Sequence, residues 1–251
     1  MKLLKEILTT LPEGHSTQEI YIGAFDTVVK SLRWGISSTF RDPVGENKSA
    51  WIKGAGELIG RPALDLARYV LSDNLLEASL GMAAINSLLH TEGIAFHEIN
   101  AARIVREHGK GKNVAVVGDF PFLEKIRSEV NNLWVISRRP WEGEEGVKEA
   151  RSILPRADVV ALTGSSFINH TAEVLLSLCP RAYTLILGPS TPLSPVLFRY
   201  GADAICGTLI DDPDRALPFI RQGASFRHIQ GLRLVTMFKD GVPDDNDMRS
   251  G

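Results

Sequence analysis

The pattern of apolar and polar positions changes near residues 108–112. Beyond that point, short runs of consecutive apolar and β-branched residues alternate with longer amphipathic stretches. The runs that predict strands are 113–117, 133–136, 158–162, 183–187, 204–206 and 232–238, and helical stretches include 146–154, 168–178 and 214–222. Apolar strands joined by helices are typical of a parallel sheet covered on both faces. This half is therefore predicted to be a Rossmann-like, doubly wound domain.

The first half of the chain has a different pattern. It predicts an opening helix, two paired strands, a polar loop and two or three further helices, at 3–11, 19–30, 34–40, 41–48, 62–71 and 75–89. Asp73 or Asn74 is suited to cap the last of these helices. That helix is apolar almost all round, so we expect burial on more than one face, and a buried Asn86 would need hydrogen-bond partners or a ligand.

These patterns predict an α/β protein with two domains. Residues 1–108 are predicted to form a small α+β domain, and residues 109–240 a domain built on a mainly parallel sheet. The polar segment 241–251 is predicted to be a flexible tail.

Composition excludes several classes of function. The 251 residues include 28 Lys and Arg against 30 Asp and Glu, a net charge of -2, so we expect no nucleic-acid partner. No apolar run reaches the roughly 18 residues of a membrane span, and the charged start is unlike a signal peptide, so we expect a cytoplasmic protein without membrane association. Cys179 and Cys206 form no CxxC pair, and we expect both to be buried apolar side chains rather than part of a disulfide or zinc scaffold.

Loops rich in Gly, Ser and Thr follow three of the predicted strands. They are Gly118–Pro121, Thr163–Asn169 and Gly188–Pro195. Ligands of open parallel sheets bind beyond the carboxyl ends of the strands, so three such loops on one edge predict a small-molecule site. Their N–H groups and hydroxyls would suit a carboxylate, phosphate or catechol-like oxygen. Any one loop alone could instead be an ordinary turn that ends a strand.

Familiar catalytic templates do not match these loops. Gly118 begins no GxGxxG motif, and Arg138 follows the second strand where ribose-binding enzymes carry an acid, which disfavours a nicotinamide dehydrogenase. The chain has no GxSxG nucleophile motif and no HxxxH pair, so we expect no metal site made by protein side chains. Asp119 is the candidate catalytic acid or base, and burial beside an apolar ring would favour that role. The alternative role for Asp119 is to cap backbone N–H groups.

The same segments carry a family resemblance. Val116–Pro121, Ala157–Ser166, Asn169–Thr171 and Leu187–Pro195, with the helix Glu77–Asn86, resemble the putative heavy-metal chelation family. The resemblance implies an enolase-N-terminal-like domain followed by a Rossmann-like domain, with a cleft between them. It also implies the handling of a metal chelate or of a pterin-, flavin- or siderophore-like molecule. It leaves the cofactor open.

The resemblance also implies a set of site residues. The ligand-binding candidates are Asn86, Gly118, Phe120, Thr163, Gly164, Ser165, Ser166, Asn169, Gly188, Pro189, Ser190 and Thr191, with Asp119 as the catalytic candidate. Asn86 would approach from the first domain and the others from the Rossmann-like domain. Relatives often carry an acid at the end of the second strand, where this chain has Arg138, so a ribose contact is in doubt.

Two functions stay open at this point. An enzyme would act on a small heteroaromatic or chelating compound by condensation or hydrolysis. A non-catalytic protein would carry, or respond to, a metal chelate or nucleotide-like ligand. A scaffold that binds no small ligand is a third reading. The apolar run 232–238 could also be a sheet edge that pairs with a second subunit, which would give a homodimer.

Overall fold

We describe a computed structural model of the protein for residues 1–40, 51–136 and 143–241, with residues 143–147 described by their backbone alone. The predicted polar loop 41–48, Arg138 and all but the first residue of the predicted tail lie outside the described residues. Within the part of the chain that the structure describes, no helix is long and apolar enough to cross a membrane.

The elements follow the predicted order closely. The strands are β1 (Glu19–Ile22), β2 (Asp26–Lys30), β3 (Trp34–Ser38), β4 (Asn113–Val117), β5 (Asn132–Ile136), β6 (Val159–Thr163), β7 (Tyr183–Leu187), β8 (Ala204–Ile210) and β9 (Leu232–Phe238). The helices are α1 (Lys2–Thr9), α2 (Ala63–Ala67), α3 (Leu75–Leu88), α4 (Ala101–Gly109), α5 (Leu123–Ile126), α6 (Gly143–Ile153), α7 (Ala172–Ser177), α8 (Val196–Arg199) and α9 (Pro213–Arg221). Short 3₁₀ helices span Arg68–Leu71, Leu154–Arg156, Gly164–Phe167 and Phe226–His228.

The first three strands form an antiparallel sheet in the order β1–β2–β3. The prediction of one strand over residues 19–30 is wrong, because this segment folds back on itself as β1 and β2. The backbone N–H of Gly23 donates to the carbonyl of Asp26 at 2.9 Å and closes the turn between them. The prediction that residues 34–40 pair with this segment is confirmed, since β3 pairs with β2.

The long helix α3 packs against this small sheet. Of the two predicted cap residues, Asp73 and Asn74, it is Asn74 whose side chain caps the helix, by accepting from the backbone N–H groups of Leu76 at 2.9 Å and Glu77 at 3.3 Å. Every residue of α3 is buried except Leu76 and Glu77, so the predicted burial on more than one face is confirmed.

The second sheet has six strands in the order β5–β4–β6–β7–β8–β9. Neighbouring strands are parallel except β8 and β9, which are antiparallel. The α/β class with a mainly parallel sheet is therefore confirmed. The chain moves from β4 outward to β5 and then returns to β6, so the strand order reverses between β4 and β6. Such a reversal opens a crevice beyond the carboxyl ends of the two strands.

Side chains of the parallel strands alternate between two apolar cores. Ala115, Val117 and Leu162 belong to a core that extends from Leu3 in α1 to Met237 in β9. A second core lies on the opposite face of the sheet and includes residues of β4, β6 and β7, namely Val114, Val116, Val159, Ala161, Leu185 and Leu187. The strands read as unbroken apolar runs because both of their faces are covered.

The last two strands depart from the prediction in one respect. Strand β8 does not end at Gly207 but continues to Ile210. A Cβ atom at position 207 would lie 2.7 Å from the side chain of Leu193, so the glycine lets Leu193 pack directly on the strand. Strand β9 is an edge strand, as expected, but Thr236 exchanges backbone hydrogen bonds of 3.0 and 2.8 Å with His97 on its outer side. A homodimer through this edge stays a prediction.

Candidate functional site

A cavity of about 530 Å³ lies beyond the carboxyl ends of β4, β6 and β7. It is formed by Ser38 and by the segments 99–102, 119–122, 163, 187–189, 206–208, 225–227 and 234–236. This is the position that the reversal of strand order predicts for a ligand. Its volume falls in the range of roughly 300–1,000 Å³ that is typical of small-molecule pockets.

Five of the predicted site residues line this cavity. They are Asp119, Phe120, Thr163, Gly188 and Pro189. Gly118 lies just behind them, because a Cβ atom there would be 3.0 Å both from the ring of Phe120 and from Cβ of Thr163. The loops after β4 and β7, and Thr163 as the last residue of β6, thus each supply part of the wall.

Aromatic and aliphatic side chains make up much of the cavity wall. The rings of Phe120 and Phe122 stack with centroids 5.5 Å apart and planes inclined by 18°. Phe226 and Leu234 line the cavity from the other side, and Leu234 is 51% exposed. An exposed leucine and a stacked phenylalanine pair offer surfaces on which a planar ring could lie.

The charged groups of the described wall are Asp119 and Arg227, and both side chains are exposed. Within the described residues, no hydrogen bond involves the carboxylate of Asp119. Asp119 therefore lacks the burial that would favour a catalytic role. Among the described residues its carboxylate also caps no backbone N–H group. A catalytic role for Asp119 stays a prediction.

The remaining candidates after β6 support the loops instead of lining the cavity. The hydroxyl of Ser165 lies 2.7 Å from that of Thr163, and Gly164 packs tightly against Thr191. The side-chain carbonyl of Asn169 accepts from the hydroxyl of Thr171 at 2.7 Å. Ser166 is buried, and its hydroxyl has no hydrogen-bond partner among the described residues.

Asn86 and Ser190 tie the loop after β7 to the small sheet. The Asn86 amide donates to the carbonyl of Ile36 at 2.8 Å and to that of Pro189 at 3.4 Å. The backbone N–H of Ser38 donates to the hydroxyl of Ser190 at 2.8 Å. Asn86 is buried and its amide nitrogen has partners, although its Oδ1 atom has none among the described residues. The contacts of the nitrogen hold Pro189 in the cavity wall from behind. Thr191 lies in the same seam, buried and outside the lining.

Replacing Asn86 with alanine should lower the free energy of unfolding by about 1–3 kcal/mol, because the buried bond to the carbonyl of Ile36 and the partly buried bond to that of Pro189 lose their donor. The better helix propensity of alanine offsets only about 0.6 kcal/mol of this cost. Urea unfolding measures the change. The exposed Asn131, which bonds to the side chain of Asn113, is the control, and Asn131→Ala should change stability by less than about 0.5 kcal/mol. Equal effects of the two changes would contradict the role assigned to Asn86.

Several parts of the cavity wall were not predicted from the sequence. They are the start of α4, the middle of β8, the segment 225–227 and the middle of β9. One local signal was available, since Asn100 caps α4 by accepting from the backbone N–H of Ala102 at 2.9 Å. Nothing in the sequence places that cap beside strands that come later in the chain.

Both cysteines are buried, as predicted, but Cys206 also lines the cavity. Burial raises the pKa of its thiol to about 11, although a hydrogen bond with Thr236 acts in the opposite direction. Burial likewise raises the pKa of the Cys179 thiol to about 12. Both sulfur atoms therefore stay protonated near neutral pH, and a thiol is a weaker metal ligand than a thiolate.

The fold and the cavity define an α/β protein with a ligand-sized space at the point where the strand order of a parallel sheet reverses. The chain belongs to the family described as putative heavy-metal chelation. One family model, DUF4213, matches residues 4–89, and a second, DUF364, matches residues 100–239, and both carry that description. The resemblance inferred from the strand-end loops is thereby confirmed.

Two solved structures have the same fold. A protein of unknown function from the DUF364 family of Desulfitobacterium hafniense is 28% identical, with a TM-score of 0.80 over 95% of this chain and 98% of that one. A DUF364 protein of unknown function from Pyrococcus horikoshii shares the fold at 18% identity, with a TM-score of 0.76 over 94% and 98% of the two chains. The uncharacterized protein MJ0500 of Methanocaldococcus jannaschii is 29% identical over 168 residues, which are 64% of this chain and 65% of the length of that relative.

The family description points to heavy metals, so the available donor groups matter. Among residues 1–40, 51–136 and 143–241, no three side chains of His, Cys, Asp and Glu come together as a metal site. A heavy-metal ion ligated only by protein side chains does not fit this part of the chain.

Proposed function

We propose that the protein binds a small organic chelator, or the heavy-metal complex of such a chelator, in the cavity beyond β4, β6 and β7. The observation that carries the proposal is a ligand-sized, largely apolar cavity with a few polar groups and no cluster of three metal-ligating side chains in the described residues. The chelator would occupy the coordination sites of the metal, and the protein would recognise its organic part.

The cavity wall offers complementary groups for a planar ligand with polar edges. The stacked pair of Phe120 and Phe122 suits an aromatic ring. Arg227 would pair with an acidic oxygen of a carboxylate or catecholate, and the hydroxyls of Ser38 and Thr163 would orient its polar atoms. Pterins, flavins and catecholate siderophores all combine such a ring with donor atoms.

We favour binding over condensation or hydrolysis. Covalent catalysis by a hydroxyl group needs an adjacent base that a third group orients. In the described wall the hydroxyl of Thr163 bonds only to Ser165, and that of Ser225 lies 2.8 Å from Nδ1 of His228, whose exposed ring has no other hydrogen-bond partner among the described residues. Asp119 is exposed and has no described partner that would orient it. A carrier that hands its ligand on needs neither feature. We also propose that residues 1–108 and 109–240 act as two units, since Ser38 and residues 99–102 complete a wall built mostly by the second unit.

The proposed function is tested by titrating the protein with 2,3-dihydroxybenzoate, its Fe(III) complex, pterin, riboflavin and Zn²⁺ alone, with isothermal titration calorimetry as the measurement. We expect at least one organic probe or its complex to bind with one site per chain, and Zn²⁺ alone to bind much more weakly. Stoichiometric binding of Zn²⁺ alone, with none of the organic probes bound, would overturn the proposal.

A variant that fills the cavity should abolish this binding. Ala101 lies in the wall at the start of α4, and Ala101→Trp would place an indole ring in the space a ligand needs. We expect affinity for the bound probe to fall at least about tenfold, which corresponds to about 1.4 kcal/mol. Ala55 is exposed and lies outside the cavity wall, so Ala55→Trp is the matched control and should bind as the wild type does. Unchanged affinity of Ala101→Trp would place the ligand elsewhere.

A further inference from the structure

A buried acid lies at the start of β2 and is not explained by the fold. Asp26 is only 3% exposed, and its Oδ2 atom has no hydrogen-bond partner among the residues that the structure describes. An unpaired ionised carboxylate in such a place costs several kcal/mol by desolvation, so it is rare in folded proteins. A native buried polar atom without a partner calls for a specific explanation.

The strand register places Asp26 next to the cavity. Asp26 lies directly opposite Ser38 in the β2–β3 pair. The backbone N–H of Thr39 donates to the carbonyl of Phe25 at 2.8 Å, so the neighbouring pair is the hydrogen-bonded one and Asp26 and Ser38 form a non-hydrogen-bonded pair. Side chains in such pairs share one face of the sheet, with Cβ atoms about 4.5–5.5 Å apart. Ser38 lines the cavity, so one side chain separates this carboxyl group from the proposed ligand.

The surroundings of Asp26 are apolar. Val28 and Ile36 lie on the same face of β2 and β3 as Asp26. They pack on Ala216, Leu217 and Ile220 of α9. The other titratable groups on β1, β2, α9 and the 3₁₀ helix Phe226–His228 are Glu19, Tyr21, Lys30, Asp214, Arg215, Arg221, Arg227 and His228, and β3 carries none. Helix α3 and strand β8, which pack on β2 and β3, add Glu77 and Cys206, and the turn between β2 and β3 carries Arg33.

None of these groups compensates a charge on Asp26. Arg221 stacks 4.0 Å from the ring centroid of Tyr21, and Lys30 lies 5.4 Å from that of Trp34. Arg227 and His228 are exposed. Burial alone raises the pKa of Asp26 from 3.8 to about 7, so near neutral pH its two protonation states are similarly populated.

We propose that Asp26 is a second acid of the binding site, which is hydrogen-bonded through the hydroxyl of Ser38 to an N–H donor or cationic group of the ligand, and which releases its proton when that ligand binds. The inference rests on the proposed function and names the ligand class more closely, as a heteroaromatic compound with N–H donors on one edge. In the free protein the carboxylic acid keeps its O–H bond. On binding, that bond breaks, the proton passes to solvent, the ligand N–H donates to the hydroxyl oxygen of Ser38, and that hydroxyl donates to the carboxylate.

The test is the number of protons released when pterin, which carries N–H donors, binds to the full chain. Calorimetric titrations in two buffers of different ionisation enthalpy give this number at about pH 6 and about pH 8. For the wild type we expect release of close to one proton at about pH 6 and close to none at about pH 8, because the acid is already ionised at the higher pH. Asp26→Asn should release none at either pH and should bind pterin at least about tenfold more weakly.

Two further variants complete the design. Asp73 is exposed, so Asp73→Asn should keep both the affinity and the proton release of the wild type. Ser38→Ala should weaken the binding of pterin, while the stability of this variant should keep the pH dependence that Asp26 causes in the wild type. The same proton release from Asp26→Asn as from the wild type would overturn this inference and leave the proposed function standing. Binding of 2,3-dihydroxybenzoate, which has no N–H donor, without binding of pterin would also overturn the inference about Asp26 and leave the proposed function standing. A wild type that binds no probe would overturn both the inference and the proposed function.

Discussion

Between about pH 4 and about pH 8, the wild type should lose about 4 kcal/mol of stability that the Asp26→Asn variant does not lose. The pKa of Asp26 is about 7 in the folded protein, against 3.8 for the ordinary group. Below about pH 4 the group is protonated in both the folded and the unfolded chain. From there to about pH 7 the unfolded chain releases the proton while the folded protein retains it, so stability falls by about 1.4 kcal/mol per pH unit. Above about pH 7 the loss is complete.

Urea unfolding of the two proteins across this pH range measures the difference. Other groups also titrate here, but they are shared, so the difference between the two curves isolates Asp26. At about pH 8 the relative gain of the variant corresponds to roughly 8–16 °C in the midpoint of thermal unfolding. Asp73→Asn should follow the wild type throughout. Parallel curves for the wild type and Asp26→Asn would show that Asp26 titrates normally.

This expected cost gives physical content to the inferred role of Asp26. An asparagine or leucine at this position would relieve the penalty at neutral pH, yet the sequence retains an acid. Stability given up at a buried group is common where the group serves a ligand, because the ligand then supplies the missing partner. A donor near Ser38 would lower the cost of ionising Asp26 and so contribute to affinity.

Elements whose signals are local could be predicted from the sequence. The strands β4, β6 and β7 were found from their unbroken apolar runs, and the two cores on the faces of the sheet explain why those runs exist. The cap of α3 was narrowed to Asp73 or Asn74 in the same way, because a cap bonds to N–H groups two and three residues ahead, and the structure has Asn74.

Elements that depend on distant contacts could not be predicted. The turn between β1 and β2 packs against the backbone of Ile220, and a Cβ atom at Gly23 would lie 2.8 Å from that carbonyl oxygen. Strand β8 continues through Gly207 because Leu193 needs the space. Gly23 marks a turn, whereas Gly207 lies inside a strand, although both stand near apolar residues. Only the tertiary contacts distinguish the two cases.

The candidate site follows the same division. The strand-end residues Asp119, Thr163 and Gly188 could be placed at one edge because parallel strands end together. The part of the wall formed by β9 and the segment 225–227 could not be placed there, because no sequence pattern indicates that these residues lie at that edge. Asp26 was overlooked because an acid beside Gly, Ala and Phe resembles an exposed turn residue, whereas the folded chain leaves it only 3% exposed.

Gly35→Ala should lower the free energy of unfolding by about 3 kcal/mol or more. Gly35 is the point where β3 meets α3, and a Cβ atom there would overlap the carbonyl oxygen of Ala83 and the backbone nitrogen of Ser87 and lie 2.7 Å from the carbonyl carbon of Asn86. All three are backbone atoms, so no side-chain rotation relieves the overlap. The helix must move away from the sheet, and overpacking of this kind typically costs about 1–3 kcal/mol or more.

The consequences of Gly35→Ala should extend to the cavity. Asn86 on α3 holds the carbonyls of Ile36 and Pro189, so a displaced helix loosens the wall that Pro189 and Ser38 form. We therefore expect weaker binding of the probe that the wild type binds, in addition to the loss of stability measured by urea unfolding. Gly56 is the control, since it has a φ of +94° and a Cβ atom added there would meet no other atom within 4 Å, so Gly56→Ala should cost only about 1–2 kcal/mol of backbone strain and leave binding unchanged. Similar costs at the two glycines, with binding intact in both variants, would mean that the contact between α3 and β3 does not position the site.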